Sequence, residues 1–149
     1  MRYVECPQVY NGNERSIFLA GGISNCPIWQ SDLTNLLEDT DLALLNPRRK
    51  LYPSENTNIE EEQITWEFEH LERASAVSFW FPKETLCPIT LYELGKQNSG
   101  SKTLFIGVHP EYSRIKDIEI QTRLSRPEIT IVYSLPDLSE QIKGWASFK

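Results

Sequence analysis

Few side chains in this 149-residue chain combine a reactive type with a place where chemistry could happen. Glu93 lies in a helical run, Ile89 to Lys96, that follows the apolar run Ala76 to Phe81 and Pro82. A short continuous apolar run reads as a strand covered on both faces. A helix after a parallel strand starts at the carboxyl edge of the sheet, where open α/β folds bind ligands. Spacing alone leaves Glu93 open between the ligand crevice and solvent. In a crevice it could stabilise developing positive charge or attack an electrophilic carbon. Arg48 and Arg49 follow the strand-like run Leu42 to Leu45 and Asn46-Pro47. A guanidinium fork suits a phosphate or carboxylate, and the alternative is an ion pair to the run Glu60-Glu61-Glu62. Arg48 is the expected ligand contact of the two, since Pro47 stiffens its approach. His109 ends the apolar run Thr103 to Val108, where it could act as acid or base or bond the loop backbone. Gly21-Gly22 end the first run, Ser16 to Ala20, and permit either close approach of a ligand or a tight turn.

Aromatic walls come from Trp80, Phe81 or Tyr92. Trp80 and Phe81 are adjacent on a strand, so at least one of them must be core. Cys87 lies near these residues but has no histidine close in sequence, and it reads as a bland thiol. The two histidines, His70 and His109, have no ligand-like spacing, so no metal site and no cofactor are expected.

The elements that must position these groups alternate regularly. Apolar runs at 16–20, 42–45, 76–81, 103–108 and 129–133 are separated by helical patterns. That alternation predicts a parallel sheet with helices on both faces, and right-handed crossovers favour a flavodoxin-like, doubly wound five-stranded order 2-1-3-4-5. Ser24 or Asn25 is expected to cap the first helix, with Pro27 in its first turn and Trp29, Leu33, Leu36 and Leu37 mostly core. The second helix spans Ile59 to Ala74, its acidic first turn complementing the helix dipole. Asp137 to Phe148 reads as a closing amphipathic helix with Leu138, Ile142, Trp145 and Phe148 as inward candidates. Residues 1–15 are polar and turn-rich and read as an N-terminal extension to a single domain over 16–149, with Tyr3-Val4 a short strand for a sheet edge or a partner. The polar stretch Lys50 to Asn58 is the candidate lid.

Bulk properties narrow the classes. Hydrophobic residues at 40% fit a globular chain, and a net charge of -6 without a basic block argues against a nucleic acid polymer as partner. Neither a signal peptide nor a membrane-crossing run is expected, and three cysteines without CxxC spacing fit a cytoplasmic protein.

Tyr92-Glu93-Leu94-Gly95 resembles the nucleophile motif of the nucleoside 2-deoxyribosyltransferase superfamily, which includes deoxynucleotide N-glycosidases. Ile17 to Ile23, Leu45 to Arg49, Glu62 to Glu67 and Phe79 to Pro82 follow the order of a less characterised branch of it. The resemblance implies that Glu93 attacks the anomeric carbon of a sugar and that Gly21-Gly22 form a sugar-side wall. It also implies a second carboxylate at Glu67, eight residues before Ser75, where relatives carry Asp. The family's further Asp, in an Ala-Asp pair, is replaced by Ser75 here. The expected function is cleavage or exchange of the N-glycosidic bond of a small-molecule nucleoside or nucleotide, by a transferase or a hydrolase. Substrate-binding candidates are Gly21, Gly22, Arg48, Trp80, Tyr92 and His109, and a homodimer or higher homo-oligomer is expected from the resemblance. The alternative is a nucleotide- or small-molecule-binding regulatory module that keeps the fold without the chemistry. A close Glu67–Glu93 pair would favour the enzyme, and Glu93 paired to a surface lysine would favour the binder.

Overall fold

The computed structural model describes residues 1–52 and 58–148. Six strands form: β1 (Arg2–Glu5), from the polar N-terminal stretch, and, from the apolar runs, β2 (Ser16–Gly21), β3 (Ala43–Asn46), β4 (Ala76–Phe81), β5 (Thr103–Val108) and the two-residue β6 (Ile131–Val132), among the described residues. Between them lie α1 (Trp29–Leu36), α2 (Ile59–Arg73), α3 (Pro88–Asn98) and α4 (Ile115–Ser125), and α5 (Leu135–Ser147) closes the chain. Among the described residues the strands form one parallel sheet in the order β1-β3-β2-β4-β5-β6. The expected five-stranded doubly wound order is present from β3 to β6. The strand Tyr3-Val4 adds a sixth at the edge, where Tyr3 faces Leu44 and Val4 faces Leu45.

Strand alternation divides the core in two. Phe18, Ala20, Val77, Phe79 and Phe81 point to the layer that holds Trp66 and Leu71 of α2, Leu94 of α3 and Ile118 of α4. Ile17, Leu19, Leu44 and Trp80 point to the opposite layer, with Trp29 and Leu33 of α1 and Leu138 and Ile142 of α5. Residues 6–10 run along α2. There Trp66 Nε1 donates to Gln8 O at 2.7 Å, and the Tyr10 amide donates to His70 Nε2 at 3.1 Å. His70 stacks on Trp66 with ring centroids 3.9 Å apart and is buried, a structural histidine whose pKa burial lowers.

Three local expectations differ from the structure. Neither Ser24 nor Asn25 caps α1, and Pro27 precedes its first turn: Asn25 takes a left-handed φ of 57°, which asparagine tolerates, and the helix begins only at Trp29. Ile64, Phe68 and Leu71 stand at helical steps in the sequence with Trp66 beside them, but on α2 Ile64 and Phe68 face outward, 58% and 59% exposed, while Trp66, His70 and Leu71 form the inner stripe. Phe148, an inward candidate, lies past the end of α5 and is 78% exposed. The candidate lid, Lys50 to Asn58, includes 53–57, which lie outside the described residues.

Candidate active site

At the carboxyl edge of the sheet, the end of β2 and the starts of α2 and α3 enclose a cleft of about 340 Å³. Gly21, Gly22, Ile23 and Ser24 form one wall, Pro47 and Tyr52 a second, and Thr85, Cys87, Ile89, Thr90 and Glu93 a third. Gln63 and Glu67 enter from α2. The placement follows from topology: α3 leaves the central strand β4 through a short loop, so its first turns stand over the sheet edge. Cys87 adopts a left-handed φ of 53° as the residue before α3, and Pro88 occupies the helix's first turn. Thr90 and Glu93, one turn apart, then share the face that lines the cleft.

Glu67 and Glu93 line the same cleft. Burial pushes the Glu93 carboxyl up to about 8, the charge on Glu67 pushes in the same direction, and Lys96 partly opposes both. Burial also raises Glu67, against the hydrogen bond from Gln63 and the charge of Arg49. Near neutral pH Glu93 therefore keeps its proton in the folded chain. Lys96 forms its ion pair with Glu72, at 2.7 Å, rather than with Glu93.

Glu67 is held by a glutamine that carried no signal in the sequence. Gln63 Nε2 donates to Glu67 Oε1 at 2.7 Å, one helical turn away, and its Oε1 accepts from Arg49 Nε at 2.6 Å. Only the i,i+4 spacing of Gln63 and Glu67 could have pointed to it. Arg49 also pairs with Glu62 at 2.6 Å, which is the ion pair to the acidic run weighed above.

The other expected contacts separate. Gly21 and Gly22 line the cleft, but a Cβ on Gly21 would stand 2.3 Å from the Trp29 ring, so close packing already requires a glycine there. Arg48 directs its guanidinium at the loop before α1, donating to Pro27 O at 2.7 Å, Cys26 O at 3.2 Å and Gln30 Oε1 at 3.2 Å. It lines a neighbouring groove with Ser24 and Tyr52. Trp80 belongs to the core layer of α1 and α5, its ring packed over Gly107 of β5, so strand parity turns it away from α2 and α3. Tyr92 is 74% exposed and lines an apolar groove between α2 and α3 with Ile64, Phe68 and Ile89. That groove shares Tyr52, Gln63, Glu67, Ile89 and Glu93 with the cleft. His109 stays in its loop: its amide donates to Phe81 O at 2.9 Å and its Nδ1 accepts from the Glu111 amide at 3.1 Å.

Ser75 lies at the opposite edge of the sheet, just before β4, where its Oγ accepts from the Ser16 amide at 3.1 Å. The position where relatives carry Asp is thus remote from the cleft. Cys87 lines the cleft, but burial pushes its thiol up to about 12, which keeps it in the unreactive protonated form. Among the described residues no group of three or more His, Cys, Asp or Glu could hold a metal ion, and no helix is long and apolar enough to cross a membrane.

A family model described as nucleoside 2-deoxyribosyltransferase like matches residues 14–112. The matched span runs from β2 through β5 and takes in every residue that lines the cleft. No curated protein matches this chain by sequence. With the family model covering well over half of its length, the chain belongs to the nucleoside 2-deoxyribosyltransferase-like family, whose chemistry is N-glycosyl transfer.

Proposed function

We propose that this protein breaks the N-glycosidic bond of a nucleoside or nucleotide, with Glu93 as nucleophile and Glu67 as the acid/base. The observation that carries the reading is the pair itself: two carboxyls in one cleft, both raised by burial, with the charge on Glu67 raising Glu93 further. In the first step Glu93 hands its proton to Glu67 across the cleft and, as carboxylate, forms an ester bond to the anomeric carbon as the carbon–nitrogen bond breaks. The departing nitrogen takes its electron pair and the proton from Glu67. In the second step water or another base attacks the same carbon, Glu67 takes the proton back, and Glu93 leaves as carboxylate. By analogy with retaining O-glycosidases, two inversions give net retention. Water as acceptor makes the protein a hydrolase, and a second base makes it a transferase. Lys96 pairs with Glu72, and among the described residues no ion pair joins Glu93 to a surface lysine, which favours this reading over a binding module.

The apolar groove beside the cleft, with Ile64, Phe68, Ile89 and Tyr92, fits coverage by a second copy of the chain. Three free cysteines fit action in a reducing compartment.

The test is release of free base from a panel of nucleosides and their 5'-monophosphates, with wild type and Glu93→Gln side by side. A second base is added to half the reactions, which separates transfer from hydrolysis. A folded Glu93→Gln protein that retains near-normal turnover removes Glu93 as nucleophile. Sedimentation of wild type against Phe68→Glu tests the second copy, and two equally monomeric proteins would rule it out.

A further inference from the structure

Several parts of the chain converge on the side-chain amide of Gln63. Its Oε1 accepts from Arg49 Nε at 2.6 Å and from the Cys6 thiol at 3.2 Å. Its Nε2 donates to Pro47 O at 2.7 Å and to Glu67 Oε1 at 2.7 Å. Donors stand at one end of the amide and acceptors at the other. Turning it over would set donor against donor and acceptor against acceptor, so the network dictates its orientation. Cys6 takes part as a donor because burial pushes its thiol up to about 11. Arg49 is only 5% exposed, and its Nη2 is held by Glu62 Oε1 at 2.6 Å, which fixes the direction of its Nε.

We propose that Arg49 is a positioning residue for the carboxylate pair. Acting through the Gln63 amide, it holds Glu67 Oε1 as a hydrogen-bond acceptor and leaves Oε2 to exchange the proton. This rests on the acid/base reading of Glu67 given above. An amide N–H favours the ionised carboxylate it faces, and a cation behind that amide polarises it in the same direction. The relay therefore opposes the rise that burial imposes on Glu67. The charged and titratable groups around it are Arg49, Glu62, Cys6 and Tyr52, with Glu93 and Lys96 approaching from α3. Without the relay, Glu67 would take its proton at higher pH and both of its oxygens would be free to turn.

The test uses the full chain with Gln63→Met, Arg49→Met, the double variant and Arg49→Lys. Two readouts are followed: the pH profile of base release, and the titration of the Glu67 and Glu93 carboxyls by carbon-13 NMR. In Gln63→Met and in Arg49→Met the Glu67 titration and the acid limb of the profile move to higher pH. The same variants lose kcat by roughly 10-fold, with little change in KM. The double variant loses less than the sum of the two single losses, because the hydrogen-bonded part of Arg49's hold on Glu67 passes through Gln63 while only its charge acts directly. Arg49→Lys keeps the charge and a donor, and restores most of the acid limb. Additive losses in the double variant, or a Glu67 titration that does not move in Gln63→Met, overturn the proposal. The Gln63→Met titration decides even if Arg49→Met fails to fold. It also needs no turnover. A wild type that releases no base while Gln63→Met still moves Glu67 would sink the glycosidic reading and leave the relay standing.

Discussion

Glu67 raises the proton affinity of Glu93: the two carboxyls lie on neighbouring helices, line one cleft, and add their repulsion to the effect of burial. A carboxyl that ionises at about 8 in the folded chain, but near 4.5 once unfolded, makes the fold steadily less stable as pH rises between those values. Its contribution is fully present below the unfolded value and is lost as pH rises through the folded one. Stability should therefore decline from about pH 5 to pH 8, and Glu93→Gln should flatten that decline. Thermal melts at pH 5 and pH 9 read this directly. The variant should gain on wild type at pH 9, with roughly 2–4 °C for each kcal/mol recovered. Parallel curves at the two pH values would contradict the raised carboxyl.

The same pair sets the shape of the activity profile. A singly protonated pair is the competent form, since one carboxylate attacks while one carboxylic acid donates. Under that mechanism turnover should fall on the alkaline side with an apparent value near 8, where the pair loses its last proton, and on the acid side, where it gains a second. In Glu67→Gln the charge that raises Glu93 is gone, so Glu93 should titrate at lower pH than in wild type. Substrates whose base leaves without protonation should suffer least from that substitution.

The two glycines after β2 should respond differently to a methyl group. On Gly21 it would meet the Trp29 ring at 2.3 Å and Trp80 O at 2.6 Å, backbone and a buried ring that cannot retreat. Gly21→Ala should cost about 1–3 kcal/mol in denaturant unfolding, or refuse to fold. On Gly22 the nearest atoms are Cys26 Sγ, Pro82 Cγ and Thr85 Cγ2, all side chains at 3.0 Å. Gly22→Ala should be the milder lesion in stability, with its larger effect on KM because the residue lines the cleft.

Arg15 fastens the far end of the molecule. Its guanidinium lies 3.7 Å from the Trp145 ring and donates to Trp145 O at 2.9 Å and Phe148 O at 2.6 Å, so it both stacks on α5 and satisfies its terminal carbonyls. Arg15→Met should cost roughly 1–2 kcal/mol and loosen the last turn of α5 in hydrogen exchange. Base release per folded molecule should not change, because the cleft is at the opposite edge.

Cys87 offers a control on the reactive group. A thiol pushed up to about 12 should label slowly with a disulfide reagent at pH 8, despite lining the cleft. Rapid labelling at Cys87, mapped by mass spectrometry, would reopen a sulfur nucleophile.

The sheet was legible because parallel strands buried on both faces must be continuous apolar runs, and β4 and β5 begin and end where those runs do. β6 has only two residues, since Ile131 and Val132 alone find a ladder on β5, although the apolar run is longer. Glu93 was legible through its helix after the central strand. Trp80, a substrate-binding candidate, lies instead in the core layer of α1 and α5, because an apolar run does not say which of two adjacent aromatics faces which layer; only pairing with β5 fixes the parity. Arg48 and Arg49 were visible as a pair, but which one turned inward depended on α2, whose approach no local pattern encodes. Gln63 was invisible for the same reason: its partners Cys6, Pro47 and Arg49 are brought to it only by the tertiary fold.

The edge strand β1 carries a consequence for the chemistry as well as for the sheet. Cys6 follows it directly, anchored by its amide to Asn46 O at 3.0 Å, and its thiol reaches the Gln63 amide that holds Glu67. An outer strand joined to the sheet along one side only is thereby wired to the acidity of the cleft. Unseating that strand would take the Cys6 donor away from the Gln63 amide, so the hydrogen-bond network of the cleft leans on a strand held along one side only.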